Sequence, residues 1–135
     1  MTRYLLDSHV FMWLVEGNRP IPQAARDAIE DGEADLFLSA ASVAELCIKS
    51  GLGKLQLPAA VETDPGPGFV SIMAANDIEA LPVAIRHAVA LRDLPLHHRD
   101  PFDRLIIAQA LVEGLTLVTH DRTLGRYDGL SVLWV

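Results

Sequence analysis

The chain has 135 residues, half of them apolar, which is enough for one substantial core and too little for two ordinary domains. Its single cysteine, Cys47, excludes an internal disulfide and agrees with a reducing, cytoplasmic setting. The net charge of −7 argues at first against a nucleic-acid partner. No run of ~18 apolar residues marks a membrane span, so no membrane partner is expected.

In chain order, "RYLLD" (3–7) is short and apolar and reads as a buried strand. "SHVFMWLVEG" (8–17) reads as a helix capped by Ser8 and stopped by Gly17. Asp7 and His9 interrupt this apolar start, which also lacks a small-residue cleavage site and so does not read as a signal peptide. "PQAARDAIEDG" (22–32) is an amphipathic helix, "DLFLS" (35–39) a second strand, and "AASVAELCIKSGLG" (40–53) a helix closing at Gly51 or Gly53. The irregular stretch 54–68 is expected to be a loop. A helix over 69–77, a strand over 78–82 and a helix over 83–94 follow. The segment "HRDPFDRLIIAQA" opens a helix over 101–113, with Asp100 as N-cap, Pro101 in the first helical position and Asp103 at the positive end of the helix dipole. "LTLVTH" (115–120) and "LSVLWV" (130–135) are the last strands, with a turn near "DRTLG" between them. Strands alternating with helices imply an α/β fold, a mostly parallel sheet covered on both faces.

Charge is unevenly spread. Residues 1–85 hold twelve acids against five Lys and Arg, whereas residues 86–135 hold six of each and four of the five histidines. A phosphate-bearing ligand would meet a locally basic surface there, although an ordinary solvated face gives the same pattern.

Topology draws the acids together. Asp7 and Asp121 each follow a strand directly, and the carboxyl ends of parallel strands share the edge where open α/β folds bind ligands. Glu45 lies about six residues into the helix leaving that edge, roughly 9 Å along its axis. Asp103 lies in the first turn of a helix that starts there. Each acid also has a bland role: Asp7 and Asp121 as caps, and Glu45 in a capping box with Ser42. Two carboxylates ~6 Å apart repel by about 3 kcal/mol at an effective dielectric of 20, so four together call for a cation or raised pKa values. The set is made of hard oxygens without zinc-type spacing, which suits Mg²⁺ or Mn²⁺. Such a centre activates water and neutralises charge on a phosphodiester.

"LLDSHVFMW", "SAASVAELCIK", "HRDPFDRLIIAQA" and "LVTHD" resemble, in order and spacing, the blocks of PIN-domain ribonucleases, and most of all the VapC-type toxins of bacterial toxin–antitoxin pairs. The resemblance spans residues 4–135 and implies one α/β/α PIN domain over 1–135. It implies a metal-dependent endoribonuclease, blocked by a cognate VapB-type antitoxin and favouring a homodimer. By position it makes Asp7 and Asp103 the central metal ligands, with Glu45 acting directly or through water. Asp121 becomes a fourth acid whose place varies within such domains.

Ser8 and Thr119 are candidates for orienting water or phosphate, and Arg99, Arg104 and Arg122 for holding RNA phosphates. Any of these arginines has a plainer role in pairing with a neighbouring acid. His9, His98 and His120 receive no catalytic step, and Met12 and Trp13 read as core or as part of a partner groove. Two rivals remain at this point. One is an inactive PIN-like module whose acids serve only partner binding. The other is a receiver-like phosphoacceptor, which would want an acidic pair at the first strand and a lysine after a late one; here the only lysines are Lys49 and Lys54.

Overall fold

In the computed structural model, residues 2–17 and 20–135 are described. The chain runs β1 (Arg3–Leu6), α1 (Ser8–Glu16), α2 (Gln23–Glu30), β2 (Asp35–Ser39), α3 (Ala40–Gly51), α4 (Ala59–Thr63), α5 (Pro65–Ala75), β3 (Ile78–Leu81), α6 (Ile85–Ala90), α7 (Pro101–Glu113), β4 (Thr116–Thr119), a 3-10 turn at Arg122–Arg126, and β5 (Val132–Trp134). The strands form one sheet in the order β3-β2-β1-β4-β5, and every pairing is parallel.

Alternation along β1 separates two cores. Tyr4 and Leu6 face one side with Leu36, Leu38, Val10, Phe11 and Leu46, while Leu5 faces the other with Leu117, Ile106, Ile107 and Ala110. Helices cover both faces, which gives the three-layer α/β/α arrangement. The second layer explains why α7 is so apolar: Ile106 through Ala110 are all buried, Gln109 among them. Apart from Gln109, its polar residues stand near its ends.

The sheet order fixes where a site forms. From β1 the chain winds outward through β2 and β3, then returns past β1 to place β4 and β5 on its other side. The reversal lies between β1 and β4, whose carboxyl ends are joined by the Asp7 N–H donating to the Val118 carbonyl at 2.9 Å. Ligands of open parallel sheets bind at such a reversal. The order also differs from the 2-1-3-4-5 of receiver-like domains, which removes that rival.

The stretch 54–68 is not a loop. It contains α4 and the first turn of α5. Pro58 precedes α4 and Pro65 opens α5, where the missing N–H costs nothing because first-turn donors have no helical partner. Three further boundaries shift. Asp7 rather than Ser8 is the N-cap of α1. Ser39 rather than Ser42 caps α3, its hydroxyl accepting from the Ala41 N–H, so Glu45 is not the partner in a capping box. The helix expected over 83–94 spans only Ile85–Ala90. Beyond it, the carbonyls of Leu91 and Leu94 accept from the Arg104 guanidinium instead of continuing the helix.

Candidate active site

Four elements deliver carboxylates to the reversal point. Asp7 caps α1 at the end of β1, Glu45 projects from α3, Asp103 stands in the first turn of α7, and Asp121 caps the turn after β4. Asp7 and Glu45 are 6% and 5% exposed, so neither relies on bulk water for its solvation.

Hydroxyls hold the two buried acids. Thr119 at the end of β4 donates from Oγ1 to Asp7 Oδ2 at 2.7 Å and accepts the Asp121 N–H at 3.1 Å. Ser8 donates to Glu45 Oε1 at 2.9 Å and lies 3.3 Å from Asp7 Oδ1. The other Glu45 oxygen receives Lys49 Nζ at 2.7 Å, one helical turn along α3. This hydrogen bond to Glu45 is the main reason the Lys49 amine titrates above its usual range, and the charges of Asp100 and Asp103 add to it.

Asp103 carries the strain of the cluster. Its carboxyl is pushed up to about 6, first by burial and then by the negative charge of Asp7, against the opposing hydrogen bond from His98. His98 Nε2 lies 2.7 Å from Asp103 Oδ2. Asp121 moves the other way: hydrogen bonding from Thr123 holds its carboxyl below the usual range, with the Thr123 hydroxyl at 2.7 Å and N–H at 3.0 Å from Oδ1. One ligand atom each from His98, Asp103 and Asp121 lie within 4.8 Å of one another.

Asp100 is the cap of α7, its Oδ1 accepting the Phe102 and Asp103 N–H groups at 2.9 and 3.2 Å. The arginines divide. Arg104 spends its guanidinium on the carbonyls of Leu91, Leu94, Pro95 and His98, lashing segment 91–98 to α7. Arg99 is exposed, and Arg122 is exposed with its guanidinium 4.5 Å from the centre of the Trp134 ring. Met12 is core. Trp13 is half-buried and meets the His120 ring edge-on at 5.6 Å.

Two contributors escape the sequence argument. Lys49 falls four residues after Glu45, a spacing that was readable as an ion pair and could have marked it. His98 immediately precedes the charged block of α7, but only the fold of segment 91–98 turns its ring onto Asp103.

A wholly parallel α/β/α sheet with acids gathered at its reversal point defines the class, and the comparisons agree with it. The PIN domain model matches residues 4–130, and the chain belongs to that family. "Ribonuclease VapC22" of Mycobacterium tuberculosis is 35% identical over 127 residues, covering 92% of this chain and 91% of its own length. Among solved structures, VapBC2 from Rickettsia felis, bound to a DNA fragment from its promoter, superposes with a TM-score of 0.71 at 17% identity over 98% of both chains. FitAcB from Neisseria gonorrhoeae gives a TM-score of 0.61 at 25% identity over 96% of both.

Proposed function

We propose that this chain is a single-domain, divalent-metal-dependent endoribonuclease of the toxin–antitoxin type, with Asp7, Glu45, Asp103 and Asp121 as its acid set. The observation that carries the reading is the arrival of four acids at one sheet reversal from four separate elements. Likeness to a protein named as a VapC ribonuclease supports the reaction class, and likeness to the VapBC2 and FitAcB structures supports an antitoxin partner.

The donor set fits a hard divalent ion. Its tight group is His98, Asp103 and Asp121; the buried Asp7 and Glu45 carboxylates stand outside that group, near enough for their charge to act on Asp103. Lys49 is the one cation whose ion pair reaches these acids other than a protonated histidine, among the described residues. That leaves an excess of negative charge where Asp7 already pushes the Asp103 carboxyl upward. Mg²⁺ or Mn²⁺ held by Asp7 and Asp103, with Glu45 acting directly or through water and Asp121 as a variable fourth acid, would lower the pKa of water and screen a phosphodiester in an in-line displacement.

The chain's own side chains supply the rest. Thr119 and Ser8 fix the rotamers of Asp7 and Glu45, so their oxygens are aimed before any ligand arrives. Lys49 holds the second Glu45 oxygen. Arg99 and Arg122 stand exposed near the rim to bind the RNA backbone on either side of the cut, while Arg104 holds the loop rather than a phosphate. A homodimer in the cytoplasm belongs to the same reading. So does an antitoxin tail bearing basic residues, which would complement both the acid pocket and the net charge of −7.

The test is to sequence RNA ends after brief expression of wild type, Asp7→Asn and Asp103→Asn. Wild type is expected to generate new 5′-phosphate ends at a small set of sites, and both variants, folded by circular dichroism, to generate none. Equal cleavage by all three would reject the site. No cleavage by wild type under any metal would leave only the inactive partner-binding reading.

A further inference from the structure

We infer that His98 is a direct nitrogen ligand of the divalent ion in this centre and that it moves the centre's preference from Mg²⁺ toward Mn²⁺ and Co²⁺. The inference rests on the metal-dependent reading above and concerns which donors complete the site.

Geometry carries it. Ligand atoms of His98, Asp103 and Asp121 lie within 4.8 Å of one another. Two atoms on opposite sides of an ion bonded at ~2.1 Å are about 4.2 Å apart, so rotamer shifts of a few tenths of an ångström bring all three onto one ion. The 2.7 Å separation of His98 Nε2 and Asp103 Oδ2 opens only slightly to reach the ~3 Å between neighbouring ligands.

The ring is held in place. Arg104 binds the carbonyls of Pro95 and His98 at 3.0 and 3.4 Å, so the segment presenting the imidazole is tied to the same helix as Asp103. On the far side of the ring, Nδ1 lies 3.5 Å from Thr123 Oγ1, whose hydroxyl donates to Asp121. That oxygen has only lone pairs to offer Nδ1, so Nδ1 keeps a proton when an ion takes the place of the proton shared between Nε2 and Asp103. A neutral imidazole nitrogen added to carboxylates favours later first-row ions over Mg²⁺.

Pulsed electron paramagnetic resonance of the Mn²⁺-loaded full chain tests the ligand directly, and calorimetry with Co²⁺ and Mg²⁺ tests the preference. Wild type is expected to show ¹⁴N coupling from a bound imidazole, and His98→Gln to lose it. His98→Gln should also bind Co²⁺ at least about tenfold more weakly, while Mg²⁺ affinity changes by less than about threefold. Bound Mn²⁺ without ¹⁴N coupling in wild type, or coupling retained in His98→Gln, would overturn the inference and leave His98 as a hydrogen-bond partner of Asp103. Equal loss of both ions would overturn the preference. Absence of any Mn²⁺ binding by wild type would overturn this inference together with the metal-dependent reading.

Discussion

Asp103 shows how a functional group sets itself against stability. Its carboxyl titrates near 6 in the fold, against 3.8 as a free side chain, because burial and the charge of Asp7 both disfavour the anion. The folded protein therefore binds this proton more tightly than the unfolded chain does. Well below pH 3.8 the group is neutral in both states and costs nothing; between about 3.8 and 6 the unfolded chain gives up the proton while the fold keeps it, so stability falls across that window and levels off above it. The net displacement, with the opposing contact to His98 already included, corresponds to about 3 kcal/mol at neutral pH as an upper bound. Asp103→Asn should thus stabilise the metal-free protein by about 1–2 kcal/mol at pH 7.5 and by much less at pH 4, while abolishing cleavage. Urea unfolding in chelator at the two pH values measures this. An Asn variant less stable than wild type at pH 7.5 would mean that the acids do not repel one another there. At this scale the placement of Asp7, Asp103 and Asp121 was legible, because strand ends and a helix start are marked by local sequence. Lys49 was readable from its i,i+4 spacing to Glu45, whereas His98 was not, since its contact depends on segment 91–98 folding onto α7.

At the scale of elements, Gly68 decides how α4 and α5 pack. A Cβ there would lie 2.6 Å from the Ala60 carbonyl oxygen and 2.7 Å from the Val61 Cα, both backbone atoms that cannot rotate aside. Gly68→Ala should force the two helices apart at a cost of about 1–3 kcal/mol, visible as a lowered urea midpoint with an unchanged slope. A variant as stable as wild type would show that the contact yields freely. The same residues explain why 54–68 was misread. Pro and Gly are ordinarily breakers, and "PGPG" looked like a loop; here Pro65 starts a helix and Gly68 permits a close approach between two. The helix Pro101–Glu113 fell where its sequence put it, because Asp100 and Pro101 at one end and Gly114 in the left-handed region at the other are local signals. Strand Asp35–Ser39 was equally plain from its apolar run. What local signals cannot carry is the segment after α6, where the carbonyls of Leu91 and Leu94, past the helix end at Ala90, accept from Arg104 of a later helix.

The whole molecule is organised around one reversal of sheet order. Because β1 and β4 are neighbours, residues 112 positions apart share a hydrogen bond, Thr119 to Asp7, and Asp121 arrives beside them. Glu45 and Asp103 come from α3 and α7, which pack against each other, and α3 reaches both apolar clusters through Leu46 and Ala41, so the acid cluster ties these helices to the strand ends. A divalent ion in that position links elements that otherwise repel, and it should act as a fastener for the entire fold. Ligand binding to the folded state alone stabilises it by roughly 2.7 kcal/mol at about a hundred times Kd, which for a chain of this size raises the melting temperature by roughly 8–10 °C. Mn²⁺ should produce that rise in wild type and leave Asp7→Asn almost unmoved, with calorimetric scans in chelator as the baseline for each. Because the acids come from four separate elements, the gain should appear as a shift of one cooperative transition. A second, separate transition in the presence of Mn²⁺ would instead place the ion on a local segment, away from the junction of β1, β4, α3 and α7.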